Sequence, residues 1–100
     1  MNFEELDFEW DENKNKLNIK NHKIDFESAV TVFLDEHKVE IYDKRHSEYE
    51  QRYNVIGMME GGRALLHVTY TERGKAIRII SARKATKEER EVYLSGYYTL

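Results

Sequence analysis

The sequence predicts an α+β domain with a mostly antiparallel sheet of four or more strands, two helices before the sheet and one after it. Three observations indicate this. Three strand-like runs separated by glycine-containing turns fill residues 52–83, an amphipathic stripe begins at Phe26, and a helix-capping box begins at Thr86. A chain of 100 residues has the size of one domain, so we expect residues 1–100 to form a single domain.

The N-terminal third predicts a short strand and a polar helix. Phe8–Trp10 has the composition of a strand, and Asp11 can then cap a helix that ends at about His22. Within that helix only Leu17 and Ile19 are apolar. An ordinary apolar stripe is therefore missing, which indicates that the polar surface of this helix is itself used.

The next segment predicts a second helix followed by a strand. Asp25 is a second N-cap candidate, and apolar residues then recur with the spacing of one helical face at Phe26, Ala29, Val30 and Phe33. We expect this helix to end near Leu34. Val39–Tyr42 alternates in polarity as a strand does, and the charged segment Asp43–Tyr49 predicts a loop or a short helical turn.

The C-terminal half predicts an antiparallel meander and a closing helix. The turns contain Gly61, Gly62 and Gly74, and glycine supplies the positive φ that tight hairpins require. The predicted strands are Arg52–Met59, Ala64–Thr71 and Ala76–Arg83. Thr86 and Glu89 have capping-box spacing, so a helix should run from Lys87 to Ser95 and stop at Gly96.

Composition excludes several classes of protein and locates the positive charge. Because the chain has no cysteine and no apolar run of membrane-spanning length, we expect a cytoplasmic protein without disulfides or membrane contact. Met1–Trp10 is acidic and lacks the features of a signal peptide. The net charge of −3 combines −7 in residues 1–50 with +4 in residues 51–100. Glu72–Lys84 contains five basic residues, a local patch that can attract phosphate or pair with carboxylates.

No motif for phosphate-loop, nucleophile-elbow or zinc chemistry is present, and the four histidines lack metal-ligand spacing. We therefore expect no metal and no cofactor. RNA cleavage needs neither, because the ribose 2′-hydroxyl can attack the adjacent phosphate. The reaction then requires proton transfer and positive charge around the phosphate, which histidine and arginine supply.

Specific segments resemble the BrnT toxin family from Phe8 to about Tyr93. In the N-terminal half these are Phe8–Lys14, Asn18 with His22, Phe26-Glu27 with Ala29, and Val32-Phe33 with Asp35. In the C-terminal half they are Glu50 with Arg52, Ile56-Gly57, Gly62-Arg63, Thr71–Gly74 and Ile77–Thr86. Many members carry Lys-His-Gly where this chain has Asn21-His22-Lys23, so the resemblance supplies no glycine helix stop here.

This resemblance implies a fold similar to that of RelE toxins and a ribonuclease that inhibits translation. It implies a BrnA-type antitoxin partner with a ribbon-helix-helix domain, through which the complex would bind operator DNA. Two other functions remain open: a non-catalytic binding module that acts as antitoxin partner and co-repressor, and a single-stranded RNA binder without cleavage. An adjacent small gene encoding a ribbon-helix-helix protein would support the toxin role.

The candidate site combines basic residues from both halves of the chain. We expect Arg52, Arg78 and Arg83 to hold the scissile phosphate and His22 to transfer a proton. The residues expected to contact flanking phosphates are Lys14, Arg73 and Lys84. Lys14, Asn18 and His22 are spaced to share one face of the first helix. The alternative is that these cations only pair with nearby carboxylates, such as Glu50, Glu72, Glu12 or Asp25.

Overall fold

The structure is a computed structural model that describes residues 7–96, and it contains a five-stranded mixed sheet and three α-helices. The strands are β1 (Asp7–Glu9), β2 (Val39–Tyr42), β3 (Arg52–Met58), β4 (Leu65–Arg73) and β5 (Ala76–Lys84). The helices are α1 (Glu12–His22), α2 (Phe26–Val30), which continues into a 3₁₀ turn at Thr31–Leu34, and α3 (Lys87–Ser95). None of the helices in this part of the chain is both long and apolar enough to cross a bilayer.

The sheet has the order β1-β5-β4-β3-β2. The meander β3-β4-β5 is antiparallel, as the glycine turns predicted, and β2 also pairs with β3 in the antiparallel direction. β1 pairs with β5 in parallel. The α+β class is thus confirmed, with one difference in order. Because β1 belongs to the sheet, α1 and α2 lie between its first and second strands rather than before all of it.

Side chains cap the helices where the sequence predicted that they begin. Asp11 and Asp25 accept hydrogen bonds from the first turns of α1 and α2, and Thr86 and Glu89 form the capping box of α3. The predicted glycine stop is confirmed at Gly96, with φ of 76°. Helix α1 ends at Lys23, whose φ of 63° places a lysine in the left-handed region that glycine adopts most easily.

One face of the sheet packs against α2 and its 3₁₀ extension to form the core. Its fully buried side chains include Phe26, Val32, Val55, Leu66, Val68 and Ile79. At Gly57, a Cβ would lie 3.1 Å from Val32 Cβ, so glycine lets β3 approach the 3₁₀ turn closely. These contacts make the second face of the sheet, which we call the outer face, the one that can present polar residues.

Helix α1 joins β5 through buried amides, which explains why it lacks an apolar stripe. Asn18 accepts from the backbone N–H of Ala82 at 3.1 Å and donates to the Ala82 carbonyl at 2.8 Å. The side chain thereby satisfies the backbone of β5 beyond the point where β1 ends. Asn15 accepts from the Phe26 backbone at 2.9 Å, while Leu17 and Ile19 are exposed. The polar surface of α1 is used for packing.

Candidate functional site

A row of paired residues on the outer face brings two of the predicted arginines together. In the strand registers Arg52 lies opposite Thr71, Thr71 opposite Arg78, and Arg78 beside Glu9. Residues opposite one another in a ladder point to the same face. Arg52 and Arg78 therefore flank Thr71 on neighbouring strands, about 10 Å apart between their Cα atoms at the usual strand spacing.

The carboxylates next to these arginines bind them only loosely. Arg78 lies 3.7 Å from Glu9, and Arg52 and Arg73 each lie 3.5 Å from Glu50. Ion pairs of this length between partly exposed groups contribute little stability. Among the described residues, Arg52 Nε is buried without a hydrogen-bond partner. These guanidinium groups keep donors available for a ligand such as phosphate.

Arg83 occupies the other end of the outer face and is firmly bound. Its guanidinium donates to both carboxylate oxygens of Glu89, at 2.8 Å and 3.0 Å. Burial opposes ionisation of Glu89, but hydrogen bonds from Arg83 and from the Thr86 backbone outweigh it and lower the Glu89 pKa to about 2. The hydrogen bond to Glu89 raises the pKa of Arg83 in turn, although burial opposes it. This pair ties α3 to β5.

His67 lies beside the same pair. It is opposite Arg83 in the β4–β5 register, and its Nε2 is 3.6 Å from Glu89. Burial lowers the pKa of His67; the negative charge of Glu89 acts against this and the positive charge of Arg83 adds to it. His67 is therefore neutral at pH 7 and enclosed beneath α3.

The residues predicted on α1 are not brought to the arginine row. Asn18, which was expected to share a face with Lys14 and His22, points into the sheet, whereas Lys14 and His22 are exposed. Within residues 7–96 no hydrogen bond or ion pair links His22 to an arginine. Lys84, at the end of β5, is exposed as well. Asn18 is thus used in packing α1 against β5, and the roles predicted for Lys14 and His22 stay predictions.

A pocket of about 410 Å³ opens beside the row. It is lined by Glu50, Gln51, Tyr53, Thr71, Glu72 and Arg73. The Thr71 hydroxyl donates to the Gln51 carbonyl at 2.6 Å, which fixes this rim of the sheet. Arg73 therefore lies next to the Arg52–Thr71–Arg78 row, and its role in flanking contacts stays a prediction.

A histidine that the sequence analysis did not select lies in the turn after β2. His46 Nδ1 is 3.1 Å and 3.0 Å from the two carboxylate oxygens of Asp43. Burial favours the neutral form of Asp43, but hydrogen bonds from His46 and Asn54 hold its pKa below the usual value. The spacing of Asp43 and His46 was available in the sequence, but their position beside Arg52 depends on the fold.

Side chains that could ligate a metal are scattered. Across residues 7–96 no three His, Asp or Glu side chains are grouped closely enough to hold an ion. The charged groups gathered on the outer face are instead arginines and single carboxylates.

Comparison with known protein families places this chain in one of them. A search of curated proteins gives no match. A family model described as the ribonuclease toxin BrnT of type II toxin-antitoxin systems matches residues 10–89, from Trp10, which follows β1, to Glu89 in α3. The match includes all three strands of the Arg52–Thr71–Arg78 row and covers most of the chain. The chain therefore belongs to the BrnT family of ribonuclease toxins of type II toxin–antitoxin systems.

Proposed function

We propose that this protein is an endoribonuclease toxin that cuts RNA without a metal ion and so inhibits translation, with residues 1–100 acting as one toxin domain. The observation that supports the location of its site is the row on the outer face. Arg52 and Arg78 lie on opposite sides of Thr71, and among the described residues their side chains are held by long ion pairs. Arg52 also has a buried donor without a partner among the described residues.

The chemistry of these arginines suits phosphodiester cleavage. When a ribose 2′-hydroxyl attacks the adjacent phosphate, negative charge builds up on the phosphate oxygens. Planar guanidinium groups can donate two hydrogen bonds each to those oxygens, and they stay charged at any physiological pH. Arg52 and Arg78 then stabilise the transition state, while Arg73 and the adjacent pocket bind the neighbouring nucleotide.

The remaining predicted site residues are Arg83, His22, Lys14 and Lys84. Arg83 is bound to Glu89, so it can hold a phosphate only if that pair opens. His22 as the proton-transfer group, and Lys14 and Lys84 as contacts to flanking phosphates, stay predictions. All three are exposed.

Membership of the family implies an antitoxin partner. We further propose that this partner is a BrnA-type protein with a ribbon-helix-helix domain, and that operator DNA is bound only through it. An acidic segment of the antitoxin would cover the outer face, because opposite charges speed and orient association. Such a system operates in the cytoplasm.

Incubating the purified protein with RNA in EDTA tests this function. We expect cleavage that leaves 2′,3′-cyclic phosphate ends, and we expect EDTA to leave the rate unchanged. Cleavage that requires an added metal ion would contradict metal independence. Binding without cleavage would instead favour a non-catalytic RNA binder or co-repressor.

Co-expression with the product of the adjacent gene tests the proposed partner. We expect a complex that co-purifies and no longer cuts RNA, and we expect operator binding only by the complex. Failure of the two proteins to co-purify would contradict this assignment of the partner.

A further inference from the structure

The carboxylate of Asp43 belongs to the outer face. The Asp43 backbone N–H donates to the Arg52 carbonyl at 2.8 Å, which extends the β2–β3 ladder by one pair. Asp43 therefore lies on the same face as Arg52, with Cβ atoms about 5 Å apart. Its hydrogen bond with Asn54, which in turn accepts from the Thr69 hydroxyl at 2.8 Å, agrees with this orientation.

His46 is fixed on that carboxylate by one of its ring nitrogens. Nδ1 contacts both oxygens of Asp43, and the His46 backbone N–H donates to Asp43 Oδ1 at 3.2 Å. The Asp43 side chain is 13% exposed, whereas the His46 side chain is 64% exposed. A carboxylate can only accept, so Nδ1 carries a proton, and in the neutral form of the ring the lone pair lies on Nε2.

A serine holds the turn against β3. Ser47 Oγ accepts from the Arg52 backbone N–H at 3.0 Å and donates to the Asp43 carbonyl. The hydroxyl thus bridges the two backbone groups that would otherwise pair directly in the ladder. Because the same hydroxyl contacts Asp43 and Arg52, one set of hydrogen bonds positions both the turn that carries His46 and the strand that carries Arg52.

From this geometry we infer that His46 is the residue that takes the proton from the attacking 2′-hydroxyl, with Asp43 as its positioning residue. This inference rests on the proposed function. The 2′-oxygen–phosphorus bond forms while the phosphorus–5′-oxygen bond breaks. The 2′-hydroxyl proton moves to His46 Nε2, water protonates the leaving 5′-oxygen, and the imidazolium later returns its proton to solvent. Asp43 stabilises that imidazolium.

The other histidines lack this arrangement. His67 is enclosed beneath α3 beside Glu89 and Arg83. In the part of the chain that the structure describes, no carboxylate hydrogen-bonds the ring of His22 or His37. Among the described residues, Asp43 is the charged group that contacts His46. Arg52 lies across the ladder from Asp43, and Lys44, Arg45 and Glu48 belong to the same segment of chain as His46.

The main test replaces His46 and uses a matched control. The variant is His46→Gln, and the control is His37→Gln, which removes an exposed histidine at the opposite end of β2. We expect His46→Gln to lower kcat for RNA cleavage by about a hundredfold or more, the usual scale for a lost general base, with RNA affinity and melting temperature unchanged. The control should cut at the wild-type rate.

Two further variants separate a chemical role from a structural one. In His46→Ala, added imidazole should restore part of the lost rate, because it replaces the missing base and not the missing packing. Asp43→Asn keeps the size of the side chain but removes its charge. We expect its kcat to fall by about tenfold or more with KM and melting temperature unchanged, because the imidazolium formed in the reaction loses its counter-charge.

The outcomes distinguish this inference from the proposed function. If the wild type cuts RNA and Arg78→Ala does not, but His46→Gln cuts at the wild-type rate, His46 is not the base and the proposed function stands. If His46→Gln is misfolded, a wild-type kcat in folded Asp43→Asn overturns the inference. If the wild type does not cut RNA at all, the proposed function fails and the inference fails with it.

Discussion

The two ends of the outer face use the same residue type in opposite ways. At one end Arg78 faces a carboxylate 3.7 Å away, and Arg52 has a buried Nε without a partner among the described residues. At the other end Arg83 makes two short bonds to Glu89. Arg78 and Arg83 lie on the same strand, roughly 16 Å apart for an extended chain.

The difference comes from the element that carries each neighbouring carboxylate, and it shows what makes an arginine available. Glu89 is held in place by the capping box of α3, so its carboxylate meets Arg83 without further loss of side-chain freedom. Glu9 lies on the short edge strand β1 and is partly exposed. A preorganised carboxylate makes a structural pair, whereas a loose one leaves the guanidinium free to bind phosphate.

The largest loss of activity is expected from substitutions at the end of the outer face that holds Arg52 and Arg78, which we call the available end. Arg78→Ala or Arg52→Ala should slow RNA cleavage by about a hundredfold or more, because each loses charge at the phosphate in the transition state. Single-turnover rates in EDTA, with circular dichroism and antitoxin binding as checks of folding, measure this. Arg83→Ala is the matched comparison and should retain more activity than either. Equal losses in all three variants would show that the two ends are not distinct.

At the other end of the outer face, which holds the Arg83–Glu89 pair, we expect a change in the free energy of unfolding. The Glu89 pKa is about 2, below the ordinary value of 4.5. The folded state therefore favours the carboxylate, and this stabilisation is present above pH 4.5 and is lost as the pH falls towards 2. After allowance for solvent screening, Glu89→Gln should lower the free energy of unfolding by about 1–2 kcal/mol at pH 7.

Urea unfolding at a series of pH values checks this prediction. The difference between wild type and Glu89→Gln should shrink as the pH falls from 4.5 towards 2. A difference that stays constant over that range would mean that the charge of Glu89 does not stabilise the fold. Glu9→Gln is the matched control at the other end and should change stability by less.

A smaller effect, on RNA affinity, is expected at Arg73, which lies next to the available end. Arg73→Ala should weaken RNA binding and lower the salt dependence of the affinity, with a slope change of about one, because one phosphate contact is lost. Its kcat should stay near the wild-type value. Fluorescence anisotropy at several salt concentrations measures this. A large fall in kcat would place Arg73 with Arg52 and Arg78 instead.

The smallest effect is expected at the end of α1. Lys23→Gly should raise the free energy of unfolding by about 1 kcal/mol, because glycine adopts a positive φ without the steric cost that lysine has at 63°. Thermal melting measures the gain, and cleavage should not change. A loss of stability would show that the left-handed conformation at this helix end is not strained.

Local sequence signals predicted most of the fold. The glycine turns, the N-caps Asp11 and Asp25, and the box from Thr86 to Glu89 act within a few residues, so they are visible in one chain. The parallel pairing of β1 with β5 was not predictable in this way. It joins residues far apart in sequence, and a strand of three residues has almost no pattern.

The site was predictable only in part for the same reason. Residue type and approximate position on a strand indicated Arg52 and Arg78, whose side chains do share a face. The availability of each arginine depends on distant neighbours such as Glu89. The burial of Asn18 likewise depends on Ala82 in β5, because the Asn18 side chain hydrogen-bonds to the Ala82 backbone. Asp43 and His46 are close in sequence, but only the β2–β3 ladder places them beside Arg52.

Mapping where RNA binds tests most directly whether the Arg52–Thr71–Arg78 row is the RNA site. A short RNA with 2′-O-methyl riboses cannot be cut, because it has no attacking hydroxyl, and it can be titrated into ¹⁵N-labelled protein. We predict that the largest amide and guanidinium shifts occur in β3, β4 and β5 around Arg52, Thr71 and Arg78. Shifts confined to α1 around Lys14 and His22, or to the Arg83–Glu89 pair, would contradict the account.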